Sequence, residues 1–181
     1  MSSKNIPPEL KPYVVEATNA LHKHELWGGF RPHREKEHGS FVELLKIETS
    51  SPISITTIPA AGRWSLHINW TFRRDPEGGE WVLWQSSIGL SVADVSFVQN
   101  GKTECLARYD YDNNHPGPAL GPIGPHLNIL QPDPLKDSLH FPVLSDDRKS
   151  WSVEEVLDAL LSDQFKSELL ECIGPQQTTN R

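Results

Sequence analysis

The stretch Trp64-Ser65-Leu66-His67-Ile68-Asn69-Trp70-Thr71-Phe72-Arg73 decides the fold of this 181-residue chain. Large apolar residues alternate strictly with polar ones along it, and this period of two predicts a β-strand with one buried face and one polar face. A strand of this kind is stable only within a sheet whose apolar face is covered. The sequence on either side should therefore supply neighbouring strands and helices.

Neighbouring segments have the composition of further strands. The apolar run 41–47 and the β-branched run 53–58 precede the deciding stretch, and both are predicted strands. The turn sequence 75–79, which contains Pro76 and two glycines, follows it, and strand character resumes over 80–84. These segments together predict an antiparallel meander.

A second hairpin is marked by Asn100-Gly101, the residue pair favoured in type I′ turns. We predict that it joins strands at 94–99 and 102–109. The short loop sets a register that places Val95 opposite Leu106.

Two helices are expected to cover the sheet. Apolar residues recur at helical spacing over 8–24. A second helix starts at Ser152, where Glu155 completes a capping box and Trp151 stands in the position of a hydrophobic staple, and its apolar stripe continues to Leu169. The predicted fold class is α+β: a single antiparallel meander sheet of about five to seven strands, with the C-terminal helix on one face and the N-terminal helix at an edge or on the same face.

The length predicts one domain over residues 1–175. The highly charged segment 30–39 is expected to be an exposed, mobile loop. Residues 110–150 are rich in proline and glycine and are expected to form a long loop, which is uncommon in a compact domain unless the loop has a function. Residues 176–181 are expected to be a disordered tail.

The composition excludes several classes of function. A net charge of −7 argues against a broad electrostatic surface for nucleic acid, although a local basic groove is compatible with it. No apolar stretch is long enough for a membrane span or a signal peptide, and Cys105 and Cys172 are the only cysteines, so we expect a cytoplasmic protein without membrane contact. Because phosphate-binding glycine motifs and dinucleotide fingerprints are absent from the sequence, no cofactor is predicted.

Titratable residues gather where the last predicted strand meets the long loop. Arg108, Asp112 and His115 lie in one run, and His126 follows. Imidazole and carboxylate groups are the usual material of acid–base catalysis, because histidine titrates near neutral pH. His67 and Arg73, on the polar side of the deciding stretch, could supply an acid–base group and an anion-binding group, and Arg108 could join them across the sheet. The predicted catalytic residues are therefore His126, Asp112, His115, Arg108 and His67.

Structural roles compete with this interpretation. Aspartate, asparagine and histidine before a proline, as in 112–115, also form turns by capping their own backbone. The polar side of 64–73 is also what the solvated face of a half-buried sheet presents. Asp110, Asp112 and His115 could form a loop site for a divalent ion, but the chain has no strong metal-ligand spacing, so no metal is predicted.

Tryptophan is abundant, with six residues in the chain. Trp64, Trp70, Trp81 and Trp84 fall on adjacent predicted strands, where tryptophans can stack on nucleic-acid bases. Trp64 and Trp70 share the apolar side of their strand, which favours a place in the core. Trp81 and Trp84 have opposite parity, so one of them should face away from the core and could mark a partner surface.

Several short motifs occur in a familiar order between residues 64 and 166. They are Arg108-Tyr-Asp-Tyr-Asp-Asn113, Gly124-Pro-His126-Leu-Asn128, His140-Phe-Pro142 and Trp151-Ser-Val-Glu-Glu-Val-Leu157. This order resembles the TumE-type toxins of bacterial toxin–antitoxin pairs, which have a Tyr-Asp-Asn segment, a histidine-rich loop and a closing Ser-Val-Glu helix. The present loop has fewer histidines than that pattern, and the N-terminal helix is additional.

The resemblance implies a small cytoplasmic protein of toxin–antitoxin or defence type. We expect it to act on RNA by metal-independent acid–base chemistry and to have an antitoxin or another complex subunit as partner. The alternative is a non-catalytic protein-binding module that uses the aromatic sheet face and the Pro/Gly loop. A third interpretation is a subunit whose sheet face is covered by a second copy. Convergence of His67, Arg108 and His126 in one cleft would favour the enzyme.

Overall fold

The computed structural model of the chain describes residues 5–36, 42–55, 63–74, 79–93, 104–112, 126–129, 139–142, 152–165 and 167. Within these ranges the elements are a 3₁₀ turn (Pro8–Leu10), α1 (Lys11–Lys23), β1 (Phe30–Lys36), β2 (Glu43–Thr49), β3 (Ile53–Ile55), β4 (Arg63–Arg74), β5 (Val82–Ala93), β6 (Glu104–Asp112), β7 (His126–Ile129), β8 (Leu139–Pro142) and α2 (Val153–Leu160).

The strands form a single antiparallel sheet in the order β1-β2-β4-β5-β6-β7-β8. β3 pairs with the first part of β4 along the edge where β2 pairs with the rest of it. Each remaining neighbour in the sheet is the next strand along the chain, which is the connectivity of a meander. The predicted fold class, an α+β domain built on an antiparallel meander, is confirmed.

One face of the sheet carries the hydrophobic core. The even-numbered residues of β4 from Trp64 to Phe72 are all buried, and Tyr13 of α1 packs on them with ring centroids 6.2 Å from Trp70 and 4.9 Å from Phe72. α2 packs against α1 and β5 through Leu157 and neighbouring apolar residues, which are also buried. Both helices therefore lie over the apolar face, as the alternation in β4 requires.

The predicted start of the C-terminal helix is confirmed, but its predicted length is wrong. The Ser152 side chain accepts a hydrogen bond from the backbone N–H of Glu155, and the Glu155 carboxylate accepts one from the backbone N–H of Ser152. α2 ends at Leu160 instead of continuing to Leu169. Ser162 explains the break, because its hydroxyl accepts from the backbone N–H of Phe165 and so caps a new turn.

The prediction of an exposed loop over 30–39 is wrong for 30–36, which form strand β1 at the edge of the sheet. Phe30 is buried with its ring centroid 5.4 Å from that of Trp70, and Arg31 pairs with Glu48 of β2. An edge strand tolerates Pro32, which lacks a backbone donor, and needs little apolar alternation. The sequence therefore resembles a charged loop.

The predicted long loop over 110–150 is also wrong in part, because it contains strands. β6 extends to Asp112, and β7 and β8 follow inside the Pro/Gly-rich segment. These two strands have four residues each, too few to show a clear period.

The predicted register of the second hairpin is wrong. β5 runs from Val82 to Ala93, and in its pairing with β6 Leu90 lies opposite Ala107 and Ser91 lies opposite Cys105. Leu106 lies at the register shift between these pairs and not opposite Val95.

Some predictions fall outside the described residues, among them those for the strand 94–99 with the Asn100-Gly101 turn, for His115, for Trp151 and for the tail 176–181. No helix in the described ranges is both long enough and apolar enough to cross a membrane.

Candidate functional site

The second face of the sheet, which we call the polar face, is defined by the odd-numbered residues of β4 from Ser65 to Arg73. Residues that pair across antiparallel strands project to the same face, so the register extends this face to the other strands. One row across the sheet contains Arg31, Glu48, Asn69, Ser87, Asp110 and His126. The next row contains His67, Gly89, Arg108 and Asn128.

The polar face is hollowed by a cleft of about 370 Å³, which we call the polar cleft. Its walls include Asn69, Gln85, Ser87, Arg108, Asp110, Asp112, His126 and Asn128. Gly89 lies between His67 and Arg108 in the second row and adds no side chain there. The cleft is therefore built by adjacent strands of a rigid sheet, which position its side chains by register.

Asp110 is the centre of the polar cleft. Its Oδ2 atom accepts hydrogen bonds from Arg108 Nε at 2.6 Å and from Asn128 Nδ2, and it lies 4.0 Å from Nε2 of His126. The side chains of Asp110 and His126 are 14% and 6% exposed, whereas that of Arg108 is 48% exposed. The Asp110 carboxylate thus hydrogen-bonds a guanidinium and an amide, and an imidazole nitrogen lies 4.0 Å from it.

The structure brings three of the five predicted site residues together. Arg108, Asp112 and His126 line the polar cleft, where the Asp112 carboxylate accepts from Nε2 of Gln85 at 3.2 Å. His67 does not line it, so the convergence of His67, Arg108 and His126 in one cleft, which would favour an enzyme, is met by Arg108 and His126 only. His115 lies outside the described residues.

His67 lines a neighbouring cavity of about 250 Å³, which we call the His67 cavity. Asn69 is in the walls of both the His67 cavity and the polar cleft, so the two hollows adjoin. Burial lowers the pKa of His67, because a half-buried site disfavours the charged imidazolium. Near neutral pH this ring is therefore a proton acceptor.

The walls of the His67 cavity also include Arg31 and Glu48, which belong to an ion-pair network on β1 and β2. Arg31 donates through Nε and Nη2 to Oε1 of Glu48 at 2.9 and 2.7 Å, and Lys46 Nζ lies 3.0 Å from the other carboxylate oxygen. Burial alone would raise the pKa of Glu48, but the hydrogen bonds from Lys46 and Arg31 outweigh burial and lower it. Glu48 is thus ionised and fixes both cations at neutral pH.

From the sequence, Asp110 is a candidate only as a ligand of a divalent ion, and Asn128 is not among the candidate site residues. Asp110 lies between Arg108 and Asp112 with the same parity on β6, and Asn128 has the parity of His126 on β7. Because side chains alternate along a strand, residues two apart share a face. The position of Asp110 between Arg108 and Asp112 on β6 therefore indicated that it shares their face. Nothing in the sequence placed Asn128 beside Asp110, because that contact depends on the pairing of β6 with β7.

On the apolar face of the sheet, the described tryptophans do not form an exposed surface on which nucleic-acid bases could stack. Trp64 and Trp70 are 4% and 2% exposed, as expected for core residues. Trp84 instead lies under the guanidinium of Arg73, 4.7 Å from its carbon to the ring centroid, and Trp81 lies under Arg74 at 4.6 Å. Arg73 and Arg74 are adjacent on β4 and project to opposite faces of the sheet, so the tryptophans that they contact also lie on opposite faces.

Chemically, the polar cleft combines a group that can transfer a proton, a carboxylate 4.0 Å from that group and a guanidinium that can pair with an anion. In the described part of the chain, no group of three or more histidine, cysteine, aspartate or glutamate residues is placed to hold a metal ion. Comparisons with protein-family models, with characterised proteins and with solved structures give no match to this chain.

Proposed function

We propose that this protein is an RNA-cleaving enzyme of toxin–antitoxin or defence type whose active site is the polar cleft. The observation that carries the proposal is the meeting of His126, Asp110 and Arg108, with Asp110 Oδ2 at 4.0 Å from His126 Nε2 and 2.6 Å from Arg108 Nε. The order of motifs shared with TumE-type toxins supports the biological class.

Metal-independent RNA cleavage needs few groups. A base removes the proton of a 2′-hydroxyl, the resulting oxygen attacks the adjacent phosphorus, and a cation offsets the charge that develops on the phosphoryl oxygens. The 5′-oxygen leaves with a proton, and the products are a 2′,3′-cyclic phosphate and a 5′-hydroxyl.

The proposed roles follow from the positions of the side chains. His126 is the proton-transfer group, and Asp110 is a positioning residue that orients the imidazole and stabilises its protonated form during the reaction. Arg108 has donors beyond the one given to Asp110, and its exposed half can reach a phosphate. His67, in the adjoining cavity, is a further imidazole of the polar face.

The chemical test uses purified protein and a short fluorescent RNA in the presence of a metal chelator. We expect cleavage with 2′,3′-cyclic phosphate ends, and a loss of about 100-fold or more in rate for His126→Ala and Asp110→Asn. His22→Ala is the matched control, because His22 is exposed and packs on Trp27, away from the cleft. Absence of cleavage, or equal rates for all variants, would refute the proposal.

The biological test is growth of a host under tightly controlled expression. The wild type is expected to arrest growth, and His126→Ala and Asp112→Ala are expected to relieve the arrest while folding normally. If the wild type does not arrest growth, the protein is not a free-standing toxin.

A protein-binding module is the second candidate, and the exposure of Trp27 favours it. This side chain is 70% exposed at the end of α1, although large aromatic side chains usually contribute to a core or an interface. On this interpretation Trp27→Ala abolishes the cellular effect and His126→Ala leaves it intact, which is the reverse of the result expected for the enzyme.

A further inference from the structure

The side-chain amide of Asn128 has an unusual environment in the polar cleft. Asn128 lies on β7, lines the cleft and is only 7% exposed. Its Nδ2 donates to Oδ2 of Asp110, while no described residue donates to its Oδ1. The cleft therefore contains a buried acceptor that protein groups in the described ranges do not satisfy.

The orientation of this amide is set by chemistry. A carboxylate can only accept hydrogen bonds at neutral pH, so the amide group facing Asp110 must be the NH₂ and not the oxygen. Exchanging the two atoms would place two acceptors against each other. Oδ1 is therefore the acceptor that remains for another molecule.

A buried acceptor without a donor loses the hydrogen bonds that water made to it in the unfolded chain, and such groups are uncommon in native structures. Among the described residues the indole N–H groups of Trp64 and Trp81 also lack a partner, but neither lines the polar cleft. In a cleft lined by proton-transfer groups, a ligand is the natural source of the missing donor. Arg108 offsets the charge of Asp110, the carboxylate that Asn128 contacts, and the other carboxylate of the cleft, Asp112, hydrogen-bonds Gln85, so the Asn128 amide lies beside a neutral ion pair. A neutral O–H or N–H group of a ligand is a suitable donor for Asn128 Oδ1.

We propose that Asn128 is a recognition residue that accepts a hydrogen bond from a ribonucleotide through Oδ1. This proposal rests on the proposed function, and it concerns a hydrogen-bond donor of the substrate that binds in the same cleft. Two groups of a ribonucleotide have the required chemistry, the 2′-hydroxyl of the sugar and an exocyclic amine of the base.

The experiment measures binding of 3′-mononucleotides, which cannot be cleaved, by calorimetry. The three ligands are adenosine 3′-phosphate, its 2′-deoxy analogue and purine riboside 3′-phosphate, which lacks the base amine. Each is titrated into the wild type, Asn128→Ala and Asn69→Ala, where Asn69 is a second amide in the wall of the same cleft.

For the wild type, we expect the ligand that lacks the group bound by Asn128 to bind about three- to tenfold more weakly than adenosine 3′-phosphate. This factor corresponds to the loss of one neutral hydrogen bond. The analogue that shows the loss identifies the source as sugar or base. Asn128→Ala should bind all three ligands within twofold of one another, whereas Asn69→Ala should retain the discrimination of the wild type.

Two results would overturn the inference. Equal binding of the three ligands to the wild type means that a water molecule satisfies Oδ1, and equal discrimination by wild type and Asn128→Ala means that another group reads the donor. In either case the proposed function stands. Absence of binding by every ribonucleotide to the wild type overturns both. The wild-type series remains decisive if Asn128→Ala does not fold.

Discussion

Gly28 shows how a single residue can be fixed by packing. A Cβ atom added to Gly28 would lie 2.5 Å from Cδ1 and 2.8 Å from Cγ1 of Ile53, which is 3% exposed and cannot move into solvent. At the adjacent Gly29 the nearest atom to an added Cβ would be Ser50 Oγ at 3.6 Å, an ordinary contact. Gly28 therefore has no room for a Cβ atom, whereas Gly29 has, so substitution of Gly29 is a control for substitution of Gly28.

We expect Gly28→Ala to lower the free energy of unfolding by about 1–3 kcal/mol, because the buried β-branched Ile53 must shift. Gly29→Ala should leave it unchanged or raise it by up to about 1 kcal/mol, since alanine restricts the unfolded chain. Urea unfolding of the two variants measures both effects. Equal stabilities would contradict this account of Gly28.

His67 makes stability depend on pH. Its pKa is lower in the folded protein than in the unfolded chain because of burial, so the unfolded chain binds more protons between the two values. The contribution of His67 to stability is therefore complete above about pH 6.5 and decreases as the pH falls through and below that value.

The expected result is that His67→Gln loses less stability than the wild type between pH 7.5 and pH 5.5, as measured by urea unfolding at each pH. His22→Gln, which changes an exposed ring, should retain the wild-type pH dependence. A wild-type slope in His67→Gln would show that other groups cause the effect.

At the scale of elements, α2 depends on its cap. The Ser152 hydroxyl and the Glu155 carboxylate each satisfy a backbone N–H in the first turn of the helix. We expect Ser152→Ala to lower the free energy of unfolding by about 0.5–2 kcal/mol. The measurement is urea unfolding beside Ser54→Ala, which removes an exposed hydroxyl from β3 and should have little effect. A loss no greater than that of Ser54→Ala would exclude a stabilising cap.

The elements also differ in how far their sequences predicted them. The β4 pattern was decisive because one face meets the core and the other does not, so burial enforces alternation. β1 lacks this constraint as an edge strand, and β7 and β8 are too short for a period to appear. The end of α2 was missed because the apolar stripe continues past Ser162, whose side chain starts a new turn.

At the scale of the molecule, α2 closes the core over the sheet. Leu157 is completely buried, and α2 contacts both α1 and β5. We expect Leu157→Ala to lower the free energy of unfolding by about 2–5 kcal/mol, because the cavity left behind cannot be filled from solvent. Tryptophan fluorescence and circular dichroism during urea unfolding should report the same transition, since the helices and the sheet share one core.

Val15→Ala is the control for this change, because the Val15 side chain is 57% exposed and its truncation should alter stability by less than about 0.5 kcal/mol. If Leu157→Ala is as mild as Val15→Ala, or if the two probes separate, α2 is not an integral part of the core.

The sequence by itself determined the antiparallel sheet, its buried face and the two helices that cover it, because hydrophobic burial imposes a local period that can be read residue by residue. It also placed Arg108, Asp112 and His126 among the candidate residues, since their side chains can transfer protons or bind anions. Only the tertiary structure decided which of them meet. The pairing of β6 with β7 brings Asp110 to Asn128 and His126, and the position of β4 puts His67 in a separate cavity. Such contacts join residues distant in the chain, and they depend on strand register, which the period of a single strand does not fix because it also depends on the turns and loops between strands.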